Sequence, residues 1–168
     1  LIKLEDGGPI FYSQKRNGIL NIPFNIWKLR TMKVNSEKHG AKWSSKKDPR
    51  ITSIGKFLRK TRFDELPQLI CVVRGEMSLI GPRPERPEFD KDLEQKINHY
   101  SVRKWIRPGL SGWAQVNYPY TSSIKDSEIK VSYDLYYLRN FSFWLDILIL
   151  FKTIKMLIHV KGSVPKSN

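Results

Sequence analysis

Two adjacent carboxylates, Asp64-Glu65, sit in strongly basic surroundings: residues 28 to 62 hold 12 Lys or Arg against two acids, Glu37 and Asp48. An ionised Asp is a nucleophile toward phosphorus and a ligand for Mg²⁺. At a helix N-terminus, unpaired N–H groups and the positive dipole end favour the ionised form and can also hold a phosphate. Asp is equally a favoured helix cap, and acids are favoured in first turns. The pair taken alone leaves both readings open.

Cations able to meet a phosphate are spread along the chain. Arg83 lies between prolines in Gly81-Pro82-Arg83-Pro84. That restricted backbone either pre-orients a guanidinium or makes a rigid surface turn. Lys28 and Arg30 share one face if their segment is a strand, as a diphosphate clamp or as a solvated edge. Arg107 opens the turn Arg107-Pro108-Gly109, again with both readings available. No Gly-x-x-x-x-Gly-Lys phosphate loop occurs. His39, His99 and His159 share no metal-ligand spacing, which argues against zinc. Cys71 is the single cysteine, so no intrachain disulfide forms.

The task of positioning these groups falls to 168 residues, enough for one domain with its own core. Residues 9 to 32 predict a β-hairpin, with Pro9 to Ser13 and Phe24 to Leu29 as strand material and turn chemistry at Arg16-Asn17-Gly18. Residues 33 to 50 read as a polar loop. Thr52 or Ser53 caps a helix over Gly55 to Thr61. A second helix is expected to start at Asp64 and end at Arg74-Gly75, with Pro67 tolerated in its first turn. Gly81 to Pro87 is too proline-rich for a helix or central strand and reads as an ordered loop or linker. Residues 88 to 104 read as a charged helix, Arg107 to Trp113 as a turn-rich segment, and the chain from Ile124 as helix again. The expected fold class is α+β: one mainly helical domain over residues 1–168, with a small antiparallel β-hairpin near the N-terminus and amphipathic membrane-surface helices.

The net charge of +14 attracts polyanions, whether nucleic acid, anionic membrane or phosphorylated small molecules. No uncharged apolar run of about 18 residues is present to span a bilayer. The nearest candidate, Phe141 to Val160, is broken by Asp146, Lys152, Lys155 and His159. Its Ile147, Leu148, Leu150, Phe151, Ile154, Leu157 and Ile158 form a wide apolar face, with Lys152, Lys155 and Lys161 at the polar boundary. Such a helix either lies among lipid headgroups or serves as a core helix.

In order along the chain, several segments resemble the bacterial sugar transferase family, the monotopic phosphoglycosyl transferases. They include Gly8 to Gly18, Trp27-Lys28-Leu29-Arg30-Thr31-Met32, Asp48 to Thr52 and Gly55 to Thr61. The densest match is Asp64-Glu65-Leu66-Pro67-Gln68-Leu69 followed by Gly75 to Pro84. Arg107 to Asn117 and Tyr133 to Tyr137 complete the set. Pro84 to Phe89 and Asn117-Tyr118-Pro119-Tyr120 look like the exopolysaccharide type. Cys71 and Glu76 depart from the family pattern, standing where Asn and Asp are expected.

The resemblance implies transfer of a sugar-1-phosphate from a UDP-sugar to polyprenyl (undecaprenyl) phosphate, initiating exopolysaccharide or other glycoconjugate synthesis. Asp64 would be the nucleophile and form a covalent aspartyl-phosphosugar, Glu65 would complete the pair, and Mg²⁺ would be the cofactor, ligated in part by Asp64. Lys28, Arg30, Arg59, Arg83, Arg107 and Asp134 would serve substrate and phosphate binding. The family also carries a hydrophobic helix upstream of Leu1. The chain is therefore expected to be the C-terminal catalytic part of a longer protein, on the cytoplasmic face of the bacterial inner membrane. Its expected partners are the UDP-sugar, the polyprenyl phosphate and an anionic membrane surface, with a homo-oligomer left open. The rival class is a basic nucleic-acid-binding module using Trp27, Trp43, Trp105 and Trp113. No helix-turn-helix, finger or RNA-binding signature supports it, so no nucleic acid is expected.

Overall fold

The structure is a computed structural model that describes residues 1–37, 40, 44–45, 48–118 and 123–159. His39, Trp43, Pro119-Tyr120, Val160 and Lys161 lie outside the described residues. After a short helix α1 (Ile2–Asp6), strands β1 (Phe11–Asn17) and β2 (Pro23–Leu29) pair antiparallel, from Phe11 opposite Leu29 to Asn17 opposite Pro23. The expected hairpin is present, but its reversal lies beyond Arg16-Asn17, over Gly18 to Ile22. Both residues stay in β1 because the proline-rich loop engages them: Arg16 donates to Pro84 O and Asn17 N–H to Glu85 O. Alternation along β2 turns Phe24 and Ile26 inward, where they pack with Cys71 and Met77. Cys71, one of the two departures from the family pattern, is thus a fully buried core residue.

Helix α2 (Ser53–Thr61) starts as expected, Thr52 Oγ1 accepting from Gly55 N–H at 3.0 Å. It stops at Arg62, whose φ of 61° places a non-glycine residue in the left-handed region. The reversal at Arg62 redirects the chain. The expected single helix from Asp64 is instead a 3₁₀ segment, Phe63–Gln68, leading into α3 (Leu69–Val73). Asp64 is therefore not an N-cap; Arg62 holds that position, and no side chain caps the segment.

Two further strands, β3 (Ser78–Ile80) and β4 (Gly109–Ser111), pair in parallel, β4 within the segment expected to be turn-rich and β3 in a stretch without an expected element. The crossover between them carries α4 (Pro87–Lys96) and a 3₁₀ turn, Tyr100–Lys104. The expected helix over 88 to 104 is broken there by an extended Ile97 and a left-handed His99. The break lets Leu93, Ile97 and Tyr100 all bury against Val131 of α6 (Ile124–Arg139), a helix begun by a Ser123–Asp126 capping box. The short α5 (Trp113–Asn117) and α7 (Phe143–Ile158) complete the fold, with Ile149, Tyr137 and Ile80 closing a third apolar cluster.

Helix α7 serves in part as a core helix. Ile149 is fully buried, and Tyr137 OH donates to Asp146 at 2.7 Å. Lys152 is turned inward, to Asn117 Oδ1 at 2.6 Å and over the Trp113 ring. Phe143, Trp144, Phe151 and Ile158 remain two-thirds exposed or more. No helix among the described residues is long and apolar enough to cross a membrane.

Candidate functional site

The elements enclose a cavity of about 1120 Å³ whose wall includes Asp64, Glu65 and most of the cations singled out from the sequence. Lys28 reaches it from β2, Arg59 from α2, Arg83 from the loop after β3, and Lys130 and Asp134 from α6. Where α7 forms the wall, Leu150, Met156 and Leu157 make it apolar.

Glu65 is gripped by cations. Lys28 Nζ lies 2.9 Å from its Oε1, Arg83 Nη2 bonds the same oxygen, and Arg62 Nη1 is 3.7 Å from Oε2. Burial by itself would raise the Glu65 pKa, but Arg83, Lys28 and Arg62 together hold it well below the usual carboxylate value. Burial also lowers the Lys28 pKa, which the Glu65 charge opposes.

Asp64 is in the opposite state. Its carboxyl is buried, and Oδ1 has no hydrogen-bond partner among the described residues. Burial raises its pKa, with the Glu65 charge adding to the rise and Lys28, Arg59 and Arg62 opposing it. A buried, unpaired carboxylate oxygen costs free energy unless a ligand completes it. No group of three or more His, Cys, Asp or Glu among the described residues could hold a metal ion. One carboxylate with an open oxygen nevertheless suits Mg²⁺, which is commonly bound by one or two carboxylates plus substrate phosphates.

The remaining expected residues separate by position. Arg59 is oriented by Thr31 Oγ1 at 2.8 Å and Ser44 Oγ at 2.7 Å. That contact depends on Gly55: a Cβ there would collide with the Thr31 backbone, so glycine lets α2 approach. Arg30 also lines the cavity, but its guanidinium is committed to both Asp6 oxygens at 2.5 Å and to Pro9 O at 2.6 Å. The Arg30 hydrogen bond holds the Asp6 pKa down to about 2. Arg30 thus ties α1 to the hairpin. Asp134 is buried in an ion pair with Arg103, 2.7 Å away. Arg107 is exposed and off the cavity wall; its segment supplies β4.

Among the cavity cations not expected from the sequence are Arg62, Arg103 and Lys130. Arg62 is three residues before Glu65, a spacing that signals a neighbour on one helical face. Ser127, Lys130 and Asp134 repeat at i, i+3 and i+7 along α6 and all line the cavity, a polar stripe readable in advance. Arg103 gave no such signal, because its turn interrupts the expected helix. Of the tryptophans, Trp113 stacks on Tyr136 with ring centroids 5.7 Å apart, which engages one face in packing.

The chain is similar in sequence to known proteins. The profile described as "Bacterial sugar transferase" matches residues 1–160. The chain is 49% identical to UDP-N-acetylgalactosamine-undecaprenyl-phosphate N-acetylgalactosaminephosphotransferase of Aeromonas hydrophila, over 97% of this chain and 38% of that protein. It is 40% identical to UDP-glucose:undecaprenyl-phosphate glucose-1-phosphate transferase of Escherichia coli K12, over 99% of this chain and 35% of that protein. Identity to undecaprenyl-phosphate glucose phosphotransferase of Komagataeibacter xylinus is 42%, over 92% and 30%. The chain thus spans less than two-fifths of the length of these curated relatives.

Proposed function

The chain belongs to the bacterial sugar transferase family, and on that premise we propose that it moves a sugar-1-phosphate from a UDP-sugar to polyprenyl phosphate through a covalent intermediate on Asp64. The observation carrying this reading is the open Asp64 carboxylate oxygen, buried in a cation-lined cavity beside a Glu65 whose charge is already matched. Glu65 is held by Lys28, Arg62 and Arg83, so Asp64 is the carboxylate left free to attack.

In the first step an Asp64 oxygen bonds to the sugar-bearing phosphorus, the bridging P–O bond breaks, and UMP leaves with its electron pair. The product is an acyl phosphate, which keeps the phosphosugar activated. In the second step a phosphate oxygen of the acceptor attacks that phosphorus, and the Asp64 carboxylate is released. Lys28, Arg59, Arg62 and Arg83 lie where they offset the diphosphate's charge during approach to an anionic nucleophile. Mg²⁺ bound at Asp64 would polarise the phosphoryl oxygens and screen that repulsion further.

The exposed apolar side of α7, with Phe143, Trp144, Phe151 and Ile158, fits a bilayer interface that would bring the acceptor lipid to the cavity. The net charge of +14 favours an anionic surface. In this reading the chain is the catalytic part of a protein on the cytoplasmic face of the bacterial inner membrane. A UMP-release assay across a panel of UDP-sugars tests the transfer reaction, and absence of release with every sugar would contradict it.

A further inference from the structure

Four successive carbonyls in the Pro82-Arg83-Pro84-Glu85 loop are each taken by a different donor. Gly109 N–H donates to Pro82 O at 2.8 Å and Asn17 N–H to Glu85 O at 3.2 Å. Arg103 Nη2 donates to Arg83 O at 2.8 Å, and Arg16 Nη1 donates to Pro84 O at 3.1 Å. Pro82 and Pro84 also have fixed φ angles. A backbone held this closely leaves few directions for the Arg83 side chain that reaches Glu65.

Arg103 is the demanding member of the set. Its side chain is only 10% exposed, and a guanidinium buried to serve a neutral carbonyl is costly without a matching charge. Asp134 of α6 supplies that charge at 2.7 Å. The Tyr100 hydroxyl accepts a second bond at 3.1 Å, and Tyr100 OH in turn donates to Asp90 at 2.7 Å. The chain of contacts runs from Asp134 through Arg103 to the Arg83 backbone.

We propose that Arg103 and Asp134 are a positioning pair, setting the Arg83 guanidinium for phosphate binding through the Arg83 carbonyl. The inference rests on the diphosphate-binding reading above for the identity of the ligand. Lys cannot span Asp134, Tyr100 and Arg83 O as a forked guanidinium does, so Arg103→Lys keeps the charge and loses the geometry.

The test is a double-mutant cycle on affinity for inorganic pyrophosphate, measured by titration calorimetry. Arg103→Lys is expected to weaken binding about tenfold in the wild-type background but less than about twofold when Arg83→Ala is already present. Asp134→Asn should show the same pattern, and it decides the matter if thermal melting shows Arg103→Lys unfolded. Equal losses in both backgrounds, as direct phosphate contact or a general packing role would give, overturn the proposal. So does unchanged binding in Arg103→Lys, or a wild type that binds no pyrophosphate. UMP release from the same proteins separates the two levels. A coupled loss of pyrophosphate binding in a chain that never releases UMP upholds the positioning pair and contradicts the transfer reaction.

Discussion

Asp64 and Glu65 are neighbours in the chain, yet their carboxyls are driven in opposite directions. Burial raises the pKa of Asp64, while three cations overcome burial at Glu65 and hold its pKa well below the usual value. The left-handed turn at Arg62 precedes the 3₁₀ segment that sends the two side chains to different surroundings. Strained backbone of this kind collects at functional sites, where the surrounding fold sustains it.

Opposite pKa shifts predict opposite stability effects. Ionised Asp64 is unfavourable in the folded state, so Asp64→Asn should stabilise the fold at neutral pH by about 1 kcal/mol. The gain should vanish as pH falls through the raised folded value to below the unfolded 3.8. Glu65 contributes its stability fully above the unfolded 4.5 and loses it as pH falls through its lower folded value. Glu65→Gln should therefore cost about 2 kcal/mol at neutral pH and less on acidification. Thermal melts of both variants across pH check the signs; a stabilising Glu65→Gln would contradict the assigned cation grip.

A protonated carboxyl is not a nucleophile, so the rate of Asp64 labelling by a UDP-sugar should fall as pH drops through its raised pKa. Lys28 is the charge that most favours ionised Asp64. Lys28→Gln should move the acid limb of the labelling profile to higher pH. Rates measured in the presteady state give the profile, and a limb that stays in place would remove Lys28 from the electrostatics of the nucleophile.

Gly109 and Gly81 let two parallel strands touch beside the Arg83 loop. A Cβ on Gly109 would overlap the Gly81 nitrogen and carbonyl oxygen, which are backbone and cannot rotate away. Gly109→Ala should destabilise by about 2 kcal/mol or more and weaken pyrophosphate binding by displacing Pro82-Arg83. Calorimetry and melting together measure both; an unaffected affinity would mean that the loop is positioned independently of β4.

For α7, Trp144→Ala combined with Phe151→Ala should reduce co-sedimentation with anionic vesicles severalfold while leaving the melting temperature nearly unchanged, since both side chains are exposed. Wild-type binding should weaken as salt rises. Equal retention of the double variant would move the membrane surface elsewhere.

Elements whose signals are local were legible in the sequence. The hairpin, the Thr52 cap and the long helices each arise from residues a few positions apart. The parallel β3–β4 pair was not, because three-residue strands lacking a distinctive pattern are defined by a partner about 30 residues away. The site was partly legible for the same reason. Asp64, Glu65, Lys28 and Arg83 fall inside long motifs and meet at one cavity, whereas Arg30 is taken by Asp6 and Arg107 is exposed, off the cavity wall. No short-range pattern announces that Asp6, 24 positions away, will claim a guanidinium. Arg103 was hidden by a helix break that only the packing of Ile97 and Tyr100 explains.

The proposed role of Asp64 as nucleophile is tested most directly by intact-protein mass spectrometry after incubation with UDP-sugar and Mg²⁺, across the sugar panel and without acceptor lipid. A mass increase of one phosphosugar on the wild type, absent from Asp64→Asn and retained at a reduced rate in Glu65→Gln, is the predicted result. The same adduct on Asp64→Asn, or an adduct mapped by proteolysis to another residue, would contradict it.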